Sequence, residues 1–511
     1  MSFALSRRGF LGAAAAAAGV AATGWAGGAR LLGPGDPGLL LPSQVALPRP
    51  FTAELPIPRV LEPIRRDAGA DYYEIVQRPT ELEILPGLRT PAWTYGGSFP
   101  GPTILARSGR RSVVRHRNEL DQPAVVHLHG GHTPADSDGY PMDLILPAHA
   151  AAHPTHHAGR DVAAGQRDYT YPNQQGAATL WYHDHRHGGT GYALWQGLAG
   201  FHLVHDDEQD ALGLPTGARD LPLMITDRSF AADGSFRYPR AGAHQHGVTA
   251  PYMNGVLGDV ILVNGAPWPV ARVDAARYRL RLLNASNARR YRLELDPQPP
   301  GGDALVQIGS DGGLLGRPIA HDRLDISPAE RFDIVVDFSR YRPGTRVRLL
   351  NRLGSGATAE VMSFDVTGPT GDNPPLPARL RTEPALDPAR AVTTRTFHFQ
   401  LRPDHGWTIN GLPYEAGRVL ARPRLGTVEI WRLISDFHHP IHLHLDPFLV
   451  LSRNNRAPNP ADAGWKDTVD LRPAEAVEIA VRFTDHAGTY MLHCHNAEHE
   501  DMAMMADFVT E

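Results

Sequence analysis

The chain carries a single cysteine, Cys494, in 511 residues, so no disulfide can form within it. It has no long block of lysine and arginine, and its net charge is only −5, which leaves little for a nucleic-acid backbone to hold. Methionine is scarce too, nine in all, with no Met-rich insertion. Histidine is the opposite case: there are 26, a count that demands an explanation.

Length alone suggests about three domains. Apolar residues make up 42% of the chain, enough to fill large cores. Gly (51) and Pro (45) are spread throughout, as an all-β protein with many turns requires. Ser6-Arg7-Arg8-Gly9-Phe10-Leu11 and the Ala/Gly run to Ala29 resemble a twin-arginine export signal. That run is too weakly apolar for a stable membrane span. Residues 1–44 therefore read as signal and leader, directed to the twin-arginine machinery and a periplasmic or extracellular destination. An exported protein that keeps one free thiol usually needs it, and a metal-bound thiolate is protected from oxidation. Residues 35–60 are Pro-rich and extended. Polar or Pro-rich linkers at 206–222 and 368–392 divide the remainder into 45–207, 218–367 and 385–511.

Cys494 lies between His493 and His495, with His499 five residues on and Met504 five beyond that. Thiolate, imidazole and thioether select soft or borderline metals, copper above all, and His₂Cys with a weak axial Met is an electron-transfer copper set. Side chains on a strand alternate faces, so Cys494 points one way and its two histidine neighbours the other. One strand would then serve two metal centres. Helix formers after His495 let the chain curl back and return His499 and Met504 to the sulfur's side.

Three more stretches place two histidines on one strand face: His127/His129, His183/His185 and His442/His444. Any one pair could face solvent. With His493/His495 they make four pairs and eight imidazoles, which suits three coppers bound three, three and two, while His439, Cys494, His499 and Met504 complete a separate mononuclear site. A fifth pair, in Ala243-His244-Gln245-His246-Gly247, has a loop composition and reads as solvated, and the middle domain as structural. The loop holding His149, His153, His156 and His157 reads as solvated, Met502 and Met505 as packing, and His132 and His187 fall outside the pair pattern.

These residues resemble the four copper motifs of the multicopper oxidases, over nearly the whole mature chain. The stretch from His127 to Pro141 and Gly464-Trp465-Lys466-Asp467-Thr468-Val469 are similar to the branch of bacterial spore-coat laccase, bilirubin oxidase and phenoxazinone synthase. The resemblance implies three cupredoxin-like Greek-key β-sandwiches, with a copper cluster between the first and third. It implies type 2 copper on His127 and His442, and a type 3 pair on His129, His183, His185, His444, His493 and His495. It also implies type 1 copper on His439, Cys494, His499 and axial Met504. A small reducing substrate would give electrons through the exposed edge of His499, and Cys494 and its neighbours would pass them to the cluster, where dioxygen becomes water. Glu500 and Asp138 stand where this branch has proton-relaying carboxylates. The expected activity is oxidation of phenols, aminophenols or bilirubin-type pigments. Oxidation of Cu(I), Fe(II) or Mn(II) ranks second, since no Met-rich insertion is present, and intact ligand positions argue against a copper-free scaffold.

Overall fold

The computed structural model describes residues 37–149, 161–242, 245–368, 373–382 and 386–511. The export signal, His153, His156, His157 and His244 lie outside these residues. Among the described residues no helix is long and apolar enough to cross a membrane.

The strands follow from the residue pattern. Arg111–Asn118 alternates buried positions with more exposed ones, three of the latter arginines, while Val260–Val263 is apolar and buried at every position. They assemble into three two-sheet sandwiches, the all-β architecture expected. The first pairs a five-stranded sheet centred on Ala70–Leu82 and Arg111–Asn118 with a four-stranded sheet ending in Ala178–Asp184 and Val126–His129. The second pairs a seven-stranded with a five-stranded sheet, and the third two five-stranded sheets. One continuous apolar core joins the first two sandwiches, running from Trp181, Trp195 and Phe201 to Phe230 and Val260. The third has its own core, and Cys494 and Met504 lie in it beside Trp407 and Phe508.

The Pro-rich leader end is extended as expected and is tied down. Leu39–Leu41 runs parallel to Val256–Gly258, and Glu54 bridges to Val270, so it straps the middle sandwich.

Register positions the site. Val126–His129 and Ala178–Asp184 are antiparallel neighbours with His127 opposite His183. In the third sandwich His439–Leu443 lies beside Gly488–Cys494, with His442 opposite His493 and Ile441 opposite Cys494. Each outer sandwich therefore presents two histidine pairs on adjoining strands.

Not every buried histidine belongs to such a pair. His202, on Ala199–His205, is fully buried edge-on to Tyr171, and neither ring nitrogen has a hydrogen-bond partner among the described residues. Burial pushes its pKa down to about 3. Below the unfolded value of ~6.5 the unfolded chain takes up a proton that the native ring refuses, so stability falls as pH drops through that window. His202→Phe should remove this term. Its unfolding free energy relative to the parent should improve by about 2 kcal/mol between pH 7 and pH 5, as measured by denaturant titration. A gap that stays constant with pH would show that the ring is not desolvated.

Candidate metal centres

His439, Cys494 and His499 converge in the third sandwich. The Nδ1 atoms of the two histidines are 3.1 Å apart and lie 3.5 Å and 3.6 Å from Cys494 Sγ. The outer nitrogens are held: His439 Nε2 meets Asp436 Oδ1 at 3.1 Å, and His499 Nε2 donates to the carbonyl of Asn254 at 3.1 Å. The turn back to the sulfur is the short helix Ala497–Asp501, capped by the Asn496 side chain. Beyond it the buried Met504 bonds through its backbone to Cys494 and His499. Burial pushes the Cys494 thiol well above its ordinary value and both imidazoles below theirs. An unmetallated site is thus neutral, and binding a cation here releases the thiol proton.

His499 is fully buried, which corrects the expectation of an exposed edge. Trp407 stacks on it at 3.8 Å, its indole N–H bonded to the carbonyl of Met253, while Asn254 closes the other side. Both Met253 and Asn254 belong to the middle sandwich, so that unit is more than structural.

The eight paired histidines meet in one buried cavity between the first and third sandwiches. His185, His444 and His493 point Nε2 atoms at one another, with His493 3.2 Å from each of the others. His129, His183 and His495 form a second triad with donor atoms within 4.8 Å, and the Nε2 atoms of His127 and His442 stand 3.4 Å apart. The eight thus divide three, three and two.

The far sides of these rings are mostly pinned. His127 Nδ1 bonds the Asp138 carbonyl at 2.5 Å, His183 Nδ1 that of Asp184 at 2.8 Å, His442 Nδ1 that of Asp467 at 2.9 Å and His493 Nδ1 that of Cys494 at 3.2 Å. His444 Nδ1 lies 2.7 Å from Asp138 Oδ2. A neutral imidazole bonded outward through Nδ1–H keeps a lone pair on Nε2, and here those lone pairs face one another. Burial holds His127, His129, His183, His444, His493 and His495 well below the ordinary histidine range, and His185 at about 4. His183 Nε2, His129 Nδ1 and both nitrogens of His495 are buried without a hydrogen-bond partner among the described residues. Converging, unprotonated, orphaned nitrogens are costly unless cations join them, so the donor set fits a multinuclear site for an imidazole-loving metal.

Two buried carboxylates border this cavity. Besides its bond to His444, Asp138 is pushed well above the usual carboxylate range by burial and by Asp143. Glu500 stands 3.3 Å from His493 Nδ1 and 3.9 Å from His185 Nε2, and burial raises its pKa. Sequence reasoning selected both and missed three others. Glu498 ties the helix to Tyr238, Asn287 and Val256 of the middle sandwich, and Asp501 accepts from the backbone N–H groups of Thr190 and Gly191. Asp467 reaches His129 Nε2 at 3.0 Å. The available signal was the acidic run Glu498-His499-Glu500-Asp501 and the 464–469 motif.

The other described histidines and methionines that the sequence singled out stay outside both centres. His149 is exposed, His132 pairs with Asp446 and Asp485, and His187 packs against His246 and Tyr414. His246 is exposed as expected, but in a short strand, Gln245–Val248, rather than a loop. Met505 is buried and Met502 half-buried.

Family models described as multicopper oxidase match residues 77–209 and 382–511. The laccase of Bacillus stratosphericus is 38% identical over 89% of this chain and 98% of its own. The bilirubin oxidase of Albifimbria verrucaria is 36% identical over 90% and 81%. Among solved structures, the laccase from Pediococcus acidilactici aligns with a TM-score of 0.80 at 32% identity, covering 92% of this chain and 96% of that one.

Proposed function

The chain belongs to the multicopper oxidase family, and on that premise we propose that it is a laccase-like enzyme. It couples one-electron oxidation of phenolic, aminophenolic or bilirubin-type substrates to four-electron reduction of dioxygen to water. The observation that carries this reading is the back-to-back placement on Gly488–Cys494 and its continuation. The Cys494 sulfur faces His439 and His499, while His493 and His495 reach into the eight-histidine cavity.

His439, Cys494, His499 and Met504 would hold one type 1 copper, and His127 and His442 one type 2. The triads His129/His183/His495 and His185/His444/His493 would hold the two type 3 ions. When bound, the copper supplies one-electron transfer at the first centre and dioxygen reduction at the cluster. The protein's own residues do the rest. Trp407 and the Met253–Asn254 backbone exclude water from His499 and fix its ring. Cys494 shares its backbone with two cluster histidines, which makes a covalent path between the centres. Asp138 and Glu500, holding protons to higher pH than exposed carboxylates, would supply the protons that water formation consumes. Arg7-Arg8 and the run behind them support export by the twin-arginine route.

Oxygen uptake by copper-loaded protein against dimethoxyphenol, 2-aminophenol, bilirubin, Cu(I) and Fe(II) tests the substrate class. Turnover with the organic reductants is expected. Turnover with the metal ions alone would overturn it, and laccases and a bilirubin oxidase among the relatives speak against that outcome.

A further inference from the structure

Seven of the eight cluster histidines follow one of two habits: a ring pinned outward through Nδ1, or a ring with no outward bond among the contacts described above. His129 alone is pinned through Nε2, which lies 3.0 Å from Asp467 Oδ1 and 3.2 Å from Thr468 Oγ1, leaving Nδ1 bare. Hydrogen positions follow from partners. An Asp467 that only accepts obliges His129 to carry its proton on Nε2 and its lone pair on Nδ1, the reverse of its neighbours.

What obliges Asp467 to accept is a residue of the middle sandwich. Arg331 grips both carboxylate oxygens, NH1 to Oδ1 at 2.8 Å and NH2 to Oδ2 at 2.5 Å. Its other donors are taken as well: Nε by the carbonyl of Thr179 in the first sandwich, NH1 by that of Ala329 and NH2 by that of Asp311. Every N–H of a fully buried guanidinium is thus bonded, by acceptors from all three sandwiches. A lysine has neither the fork nor the number of donors.

The surroundings are built around this fork. Asp311 accepts from the Arg331 backbone N–H through Oδ1 at 2.7 Å and from those of Asp467 and Thr468 through Oδ2 at 3.2 Å and 3.3 Å. Lys466 balances it at 3.0 Å. The residue after His129 is Gly130, at φ +83°. A Cβ there would sit 2.5 Å from an Arg331 nitrogen and 2.8 Å from Asp467 Oδ2. Asp467 also serves a second ring, its carbonyl accepting from His442 Nδ1.

We propose that Arg331 is a positioning residue for the copper cluster of the two outer sandwiches. By clamping Asp467 as the acceptor of His129 Nε2–H, it fixes the tautomer that turns His129 Nδ1 to the metal. This rests on the functional reading above. The middle sandwich, which supplies no ligand, thereby sets the ligand geometry of the cluster.

The test uses the full-length copper-loaded chain as Arg331→Lys, Arg331→Met and the isosteric Asp467→Asn. Three quantities are read: the blue thiolate-to-copper absorption, the near-ultraviolet shoulder of the coupled pair, and the fraction of copper visible by electron paramagnetic resonance. The blue centre shares no ligand with this network, so its band reports that a variant has folded. The expected result is an unchanged blue band and a near-ultraviolet shoulder reduced by half or more. More of the copper becomes resonance-visible, and oxygen uptake falls ~10–100-fold, as for other outer partners of metal-bound histidines. An intact shoulder and parental resonance in the folded variants would overturn the proposal. So would joint loss of both bands in Arg331→Lys and Asp467→Asn, since Arg331 would then be a general stability residue. A parent chain that takes up no copper defeats the functional reading itself, and shows before any variant is made.

Discussion

Cys494→Ser is expected to abolish substrate-driven oxygen uptake and the blue absorption together, while leaving the cluster's copper in place. The sulfur is the only soft anionic donor in the chain, and both partner nitrogens lie within 3.6 Å of it. Serine is nearly isosteric but does not ionise under these conditions and offers no charge-transfer absorption, so electrons lose their port. The backbone need not change. His442 still pairs with His493, and the cluster nitrogens are held by carbonyls of Asp138, Asp184 and Asp467 that serine does not touch. Copper content should fall by one ion per chain, measured by mass spectrometry on the desalted protein. A variant that keeps the parental oxygen uptake would separate Cys494 from the electron path altogether.

The second large effect is expected at the proton side, in Asp138→Asn and Glu500→Gln. Asp138 presents Oδ2 to His444 Nδ1 and its carbonyl to His127 Nδ1, so one residue orients two histidines of the cluster. Burial raises both carboxyl groups, so each stays protonated to higher pH than in the unfolded chain. The sign follows: as pH rises past these raised values the donors empty, and oxygen reduction slows on the alkaline side. Either amide should lower oxygen uptake by ~10–100-fold. Anaerobic bleaching of the blue band by a phenol should stay at the parental rate, with recolouring in air slowed. Slow bleaching would instead place the defect at substrate oxidation and remove the proton role. In Glu500→Gln the alkaline fall due to Glu500 should be absent from the pH profile.

The sequence exposed the ligands because they obey short-range rules. Two histidines two residues apart must share a strand face, and a cysteine between histidines must oppose them. Glu500 and Asp138 were legible only through the family resemblance, which places carboxylates at their positions. The partners that fix these ligands were less readable. The carbonyl of Asn254 that closes over His499 comes from 245 residues away, and any side chain could have stood there. Arg331 reaches Asp467 across 136 residues, and Asp467 reaches His129 across 338. No local periodicity encodes such pairings; only the packing of three sandwiches brings them together. The same packing buries His499, which its position on a short polar helix did not suggest.

Filling the metal-free chain with copper, removing the excess and comparing total copper with resonance-visible copper tells a coupled cluster beside a thiolate centre from isolated ions. One blue signal, one ordinary signal and a silent remainder of equal size are expected, the silent half being the coupled pair held by the two histidine triads. Copper that is entirely visible, or bound without the blue signal, would contradict that arrangement.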